Sequence, residues 1–507
     1  MLYKVSELID AGWNQQRTVD ISAFSEAYKL VTGAMTSRDV ALVQGPPGTG
    51  KTTVFESAVN AAIDKLPSGS LLVYLAPTNR LVAEMLEKVA FVYKALGKSK
   101  TDVANEVRVY GSQFNFGEYK QMSLQPERQV RLVITTEYQR VFNVDADFHL
   151  MIDEASRSPL HTPFISLAEP LLQKRGEALG SISVIGDPQQ AITLNEEFRD
   201  VRGRNFLIMN AFLRGLLDED VRKEVDKNEI SLLKASRETL RKYFAFLELS
   251  WRMPHPSEVA ISRGFYDGML KSKFNSNDVL QGLWDSNVAS RLAKMDDEMK
   301  FAVGALEGGI TTGIPTFYVK TSGFAYEDGG MLFDPVRGHA GVLFATCLAA
   351  ITNKRTAILT TYTDQWTQMK LDYAEHYAGI MNSLGRNKNM VSFGTVHRWL
   401  GAESDNIVAI LGKEHSGGQD MSTIYFQEPE LLNVQLSRHL KTLTVVGDLG
   451  RLAKTVNVQH QMLHTTKFNN LKVTADELTA QAGLERRNEK VVKVRTGDQC
   501  VYAPWPS

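Results

Sequence analysis

The chain has 507 residues, 43% of them hydrophobic and 23% charged, with a net charge of −1. That length exceeds what one hydrophobic core serves and fits about two to four domains, and the near-neutral balance, with a pI near 6.8, excludes a histone-like polyanion binder and leaves any nucleic-acid contact to a local groove. The two cysteines, Cys347 and Cys500, stand in no CxxC pair, which excludes a structural zinc and a disulfide framework; no signal-peptide pattern and no apolar run of about 18 residues is present, so a soluble cytoplasmic or nuclear protein without membrane contact is expected, in the host cell if the source is viral.

From residue 40 to 190, short apolar runs alternate with a polar or glycine-containing break and a longer helical stretch. The runs are Val40–Val43, Ser70–Leu75, Arg131–Ile134, Phe148–Ile152 and Ile182–Ile185. Continuous apolar character is what strands buried on both faces of a parallel sheet show, and alternation with helices predicts a layered α/β domain. Residues 83–130 leave room for a small insertion. Residues 214–243 are highly charged, with Leu and Val at helical spacing after Gly215. This reads as a helical connector, with guidance of a nucleic-acid strand as the alternative use.

A second α/β set follows, with strands at Phe244–Leu249, Thr316–Val319, Thr356–Thr360, Met390–Phe393, Ile407–Leu411 and Leu443–Val446. The expected division is residues 1–240, residues 241–455 and a C-terminal extension 456–507, in which Lys490–Arg495 alternates like a strand with a basic face.

The sharpest chemical signal is VALVQGPPGTGKTTV, a G-x-x-x-x-G-K-[ST] pattern between an apolar strand and a helix-forming stretch. Gly45, Gly48 and Gly50 let successive backbone N–H groups point inward at phosphates, reinforced by the following helix N-terminus. Lys51 can reach the β and γ phosphates of ATP; Thr52 can ligate Mg²⁺, with Thr53 beside it. Further on, FHLMIDEAS ends a buried run with two acids. Asp153 is the candidate Mg²⁺ ligand and Glu154 the candidate base for an attacking water. A third run, SVIGDPQQ, ends at Gln190, which can report the γ phosphate. Each acid or amide alone reads as an ordinary loop start; the ordered set reads as a nucleoside-triphosphate site.

GPPGTGKT, APTN, DEAS and GDPQQ resemble, in order and spacing, motifs I, Ia, II and III of superfamily 1 helicases, and within them the 1B group that includes the nonsense-mediated-decay RNA helicase. LELSWRMPHPSEVAISRGFYDGML, TTYTDQ, TVHRWLGAESDNIVAIL and LLNVQLSRHLKTLTVVGD resemble the later segments, so the resemblance covers about residues 25–450. It implies two tandem RecA-like P-loop domains with parallel sheets and small helical insertions. It further implies an ATP-hydrolysing helicase that travels 5′ to 3′ on single-stranded RNA or DNA.

By position, the resemblance makes Arg252 and Arg438 arginine fingers, stacks Trp251 on the base of ATP, and sets Gly401 and Glu403 near the γ phosphate and ribose. Strand contacts would come from Pro77, Thr78, Asn79, Thr135 and Thr136 in the first half, and from Thr361, Tyr362, Thr395 and His397 in the second. The sequence departs from the family at Glu26, where an adenine-reading glutamine is usual, at Pro254 within RMPHP, and at SRH around the second finger. The same residues also suit an ATP-switched clamp that unwinds nothing, and the first-half motifs alone suit a metabolic P-loop ATPase.

Overall fold

The computed structural model describes residues 2–16, 24–66, 69–127, 129–139, 147–163, 179–190, 201–320, 326–328, 331–399, 401–411, 429–447, 491–496 and 499–504. The chain divides into two compact units, Met1–Leu247 and Glu248–Ser507.

The first unit is built on a seven-stranded parallel sheet of β1 (Val40–Gln44), β2 (Ser70–Ala76), β3 (Val107–Tyr110), β4 (Leu132–Thr136), β5 (Asp147–Ile152), β6 (Leu179–Gly186) and β7 (Phe244–Phe246). Their order across the sheet is β3-β4-β2-β5-β6-β1-β7. Strand β2 is buried at every residue, as an apolar run covered on both faces must be. Each such Leu or Val contributes about 1.5–3 kcal/mol by leaving water.

Two placements differ from expectation. Phe244–Phe246 pairs with β1 as the edge of this first sheet, rather than opening the second set. A three-residue apolar run specifies a strand but not its partner, and Leu249–Ser250 alone continues into the second unit. Residues 83–130, set aside for an insertion, instead contribute to the layers of this unit. They include most of helix α3 (Asn79–Ala95), helix α4 (Lys100–Glu106) with a Ser99/Asp102 capping box, and edge strand β3. Upstream lie α1 (Ser25–Ser37) and α2 (Lys51–Lys65). The charged connector folds as α5 (Ile208–Leu216), α6 (Glu219–Asp226) and α7 (Leu232–Thr239), with Leu213, Val225 and Leu233 buried.

The second unit opens with a short parallel pair, β8 (Leu249–Ser250) and β9 (Lys271–Ser272). Its main sheet is parallel, of order β10-β14-β13-β11-β12, from β10 (Thr316–Lys320), β11 (Thr356–Thr360), β12 (Val391–Thr395), β13 (Ser404–Ile410) and β14 (His439–Gly447). Helices α8 (Asp297–Ile310), α9 (Pro335–Thr352), α10 (Thr363–Asp372) and α11 (Pro429–Leu436) accompany it. Helix α9 starts on an Asp334 cap with Pro335 in its first turn and ends on left-handed Asn353. Its Leu343, Phe344, Cys347, Leu348 and Ile351 centre the core with Phe317, Ile358 and Val408.

One polar cluster interrupts that core. His339 on α9 lies 2.9 Å from Glu298 on α8 and 3.5 Å from Asp372 at the end of α10, with the Tyr377 hydroxyl at 3.4 Å. Burial opposes its charge, but the two carboxylates outweigh burial and raise it to about 9.

In the expected extension, Val491–Thr496 and Gln499–Pro504 pair antiparallel as β15 and β16, and residues 451–490 lie outside the described residues. Among the described residues no helix is long and apolar enough to cross a membrane.

Candidate functional site

Strands β5, β6 and β1 are neighbours, and their carboxyl ends carry DEAS, GDPQQ and the glycine loop side by side. The loop turns on Gly48 and Gly50, at φ 71° and 83°, a left-handed conformation that glycine adopts without strain. A Cβ on Gly50 would come 2.6 Å from the Phe24 ring, and one on Gly45 2.3 Å from the Lys51 side chain. The loop is thus closely wrapped. Gly50 caps α2, so Lys51, Thr52 and Thr53 occupy the first helical turn, where free backbone N–H groups attract anions. The Lys51 ammonium donates to the Gly45 carbonyl at 2.8 Å and stands 4.0 Å from the Glu154 carboxylate.

Asp153 follows β5 and is buried. Its Oδ2 accepts from the Tyr74 hydroxyl at 2.6 Å and its Oδ1 from the Glu154 N–H at 2.8 Å. Burial, then the Glu154 charge, push this carboxyl upward from the usual carboxylate range. A divalent cation reverses that balance. Thr52 and Asp153 supply hydroxyl and carboxylate oxygens, the hard donors Mg²⁺ takes, so the residues present fit the metal. Glu154 has φ 48°, a left-handed conformation that costs a non-glycine residue about 1 kcal/mol or more.

Asp187, after β6, is buried and accepts from the Gln44 amide at 3.1 Å, the Gln190 amide at 2.6 Å and the Gln189 N–H at 3.2 Å. Gln190 is therefore oriented by Asp187, itself tied to the strand that launches the glycine loop. Gly186 admits the DEAS turn closely, since a Cβ there would lie 2.8 Å from the Ser156 hydroxyl.

The second unit brings Arg252, Glu403 and the Ser437–Arg438 turn together. Arg252 donates through Nε to Glu403 at 3.0 Å and through Nη1 to the Ser437 carbonyl at 3.3 Å, next to Arg438. Arg438 is buried, and its Nε donates to the Val434 carbonyl at 3.0 Å. Trp251 meets Phe274 edge-on at 6.3 Å between ring centroids, with the Lys273 ammonium 5.2 Å from its ring. His439, where the family pattern differs, lies 2.7 Å from the Ser257 hydroxyl and 3.1 Å from the Leu436 carbonyl. It thereby joins RMPHPS to the turn before Arg438, and burial pushes it down to about 3, hence neutral. Gly401, at φ 77°, sits in the turn before Glu403.

The strand-contact candidates stand at carboxyl ends of strands. Pro77 and Thr78 follow β2, where Thr78 caps α3, whose first residue is Asn79; Ala76 pairs with Thr136 at the end of β4. Thr135 and Thr136 depart from expectation: both are buried, and the Thr135 hydroxyl donates to the Thr136 carbonyl at 3.2 Å, which removes Thr135 from the surface. In the second unit, Thr360 pairs with Thr395, so Thr361 and Tyr362 lie beside Thr395 and His397. Thr361 is buried and, like Thr135 and Thr136, departs from the expected strand contact, while Tyr362, Thr395 and His397 are half-buried.

Tyr74, Gln44, Phe24 and Ser437 were not singled out by the sequence motifs. Only Gln44, next to the glycine loop, carried a usable signal. Glu26 is exposed in the first turn of α1. Gln365 of TTYTDQ is fully buried and pairs its amide with the Asp334 backbone N–H and carbonyl at 2.6 and 2.9 Å, a staple for the start of α9.

Residues 29–196 match the family model described as AAA domain. The chain is also similar to a solved structure described as "Complex structure of Arterivirus nonstructural protein 10 (helicase) with DNA". Identity is 11%, over 87% of this chain and 67% of that one, with a TM-score of 0.36.

Proposed function

We propose that the chain, whose residues 29–196 match an AAA-domain model and whose motifs resemble those of superfamily 1 helicases, is an ATP-dependent motor on single-stranded nucleic acid. In this reading it travels 5′ to 3′ and couples hydrolysis of Mg²⁺-ATP to duplex separation. The observation that carries this is the convergence of Lys51, Asp153, Glu154 and Gln190 at the ends of three neighbouring strands.

Backbone N–H groups of the glycine loop and the Lys51 ammonium bind the phosphates. Thr52 and Asp153 would hold Mg²⁺, whose charge would offset that of the bound phosphates. Glu154 takes the proton of the attacking water, and Gln190 responds to the γ phosphate. Arg252 and Arg438 stabilise charge on the transferring phosphoryl group, Arg252 by giving up Glu403 and Arg438 by giving up the Val434 carbonyl. Trp251 stacks on the base, and Gly401 and Glu403 lie at the phosphate and ribose. Pro77, Thr78, Asn79, Tyr362, Thr395 and His397 grip the sugar–phosphate backbone.

Lys51→Ala and Glu154→Gln should each abolish ATP turnover with the fold retained by circular dichroism. Normal turnover in both would sink the site. On tailed duplexes, displacement that needs a 5′ tail supports the motor; strand-stimulated hydrolysis without displacement would leave a clamp or pure translocase.

A further inference from the structure

Two cations converge on one indole at the carboxyl edge of the second unit's sheet. Lys370, one turn after Trp366 on α10, holds its ammonium 5.6 Å from the Trp366 ring centroid, and Arg398, from the turn after β12, holds its guanidinium at 5.5 Å. Strands β11 and β12 are paired; helix α10, which carries Lys370 in its last turn, follows β11 through Tyr362, and the turn that carries Arg398 and His397 follows Thr395 at the end of β12. Both cationic side chains belong to exposed residues, and among the described residues neither meets a carboxylate or makes a side-chain hydrogen bond. Like charges repel, so a surface that gathers two without a counter-anion is complementary to an anion from outside. The Arg398 turn is also well fixed: the Trp399 indole lies against bare Gly394 backbone, where a Cβ would come within 2.0 Å of it.

We propose that Lys370 and Arg398, held by Trp366, bind the phosphodiester backbone of the single strand; Trp366 and Lys370 lie outside the family-like segments, and Arg398 lies within TVHRWLGAESDNIVAIL at a position to which the resemblance gives no role. The indole is engaged by two cations, so its part is to position them rather than to stack a base. Contact through charge alone predicts binding indifferent to base identity and strongly dependent on salt. The inference rests on the reading of the chain as a nucleic-acid motor, and the test separates the two.

The full-length chain would be titrated against fluorescein-labelled oligo(dT) and oligo(U) of about 20 nucleotides across about 50–200 mM salt, with anisotropy as readout. The double variant Lys370→Gln/Arg398→Gln should bind both oligonucleotides more weakly. Its slope of log Kd against log salt should fall by about 1.4, or about 0.7 for each single variant. Trp366→Leu, which keeps both charges but removes the ring that holds them, should weaken binding by less. Wild-type binding with an unchanged slope in the double variant overturns this site and leaves the motor reading intact. A wild-type chain that binds neither oligonucleotide overturns the motor reading itself. Loss of binding to polyglutamate in the double variant, with oligonucleotide binding unchanged, overturns the nucleic-acid assignment in favour of an acidic protein.

Discussion

The two sheets distribute their candidate functional groups differently. In the first unit every one stands at the carboxyl edge: the glycine loop after β1, Pro77 after β2, Asp153 after β5 and Asp187 after β6. In the second unit, Tyr362 and Thr395 stand at the carboxyl ends of β11 and β12. Glu403 and Arg438 stand instead at the amino ends of β13 and β14, where Ser404 pairs with His439. One short segment, Thr395 to Glu403, joins those two places. The first edge is acidic around one lysine, suited to holding a metal and a water; the arginine cluster of the second has the charge to meet a phosphoryl group. The first sheet thus gathers its candidate groups on one edge, while the second spreads them over two.

The hardest blow to that contrast would fall on the arginines. Arg438→Ala should lower kcat on the order of 10³-fold while ATP affinity stays nearly constant, and an unchanged kcat would leave the second unit without a part in hydrolysis.

Next in size is the buried imidazolium that ties α8, α9 and α10 behind β11. The folded His339 titrates near 9 and an unfolded histidine near 6.5. Because the folded value is raised, the stabilisation is fully present below about pH 6.5 and is lost as pH climbs through about 9; it amounts to about 3 kcal/mol. Glu298, Asp372, His376 and Tyr377 are the titratable groups around it. Urea unfolding of the wild type from pH 6 to 9.5 should show that loss, and His339→Gln should flatten it; parallel pH curves for the two proteins would refute the assignment.

The smallest effect sharpens the acidic side. Tyr74→Phe removes one donor from Asp153 and leaves the Phe55 contact, a ring pair at 5.1 Å, in place. Binding of Mn²⁺ with ADP, followed by electron paramagnetic resonance, should weaken about tenfold, the effect of roughly 1.4 kcal/mol. Unaltered Mn²⁺ affinity would make Tyr74 a packing residue.

Strand centres were legible because doubly covered parallel strands read as unbroken apolar runs; Thr356–Thr360 matches to the residue. Strand β3 escaped because Arg108 interrupts it, and that side chain is buried by donating to the Ala104, Asn105 and Val107 carbonyls. The glycine loop and acid pair were readable since each candidate motif is made of neighbours in sequence. Tyr74 and Ser437 were not, because their partners lie 79 and 185 residues away. Thr135 misled for a related reason: composition reports a hydroxyl but not which way a strand faces.

The left-handed backbone at Glu154 constrains how this protein can drift. Valine, isoleucine or threonine there would lose the carboxylate and strain the turn together, so such changes endanger the whole first unit. Asparagine and aspartate tolerate that conformation, and glycine welcomes it. Natural copies that have retired from hydrolysis yet kept their shape should therefore be recognisable by one of those three residues at this single position.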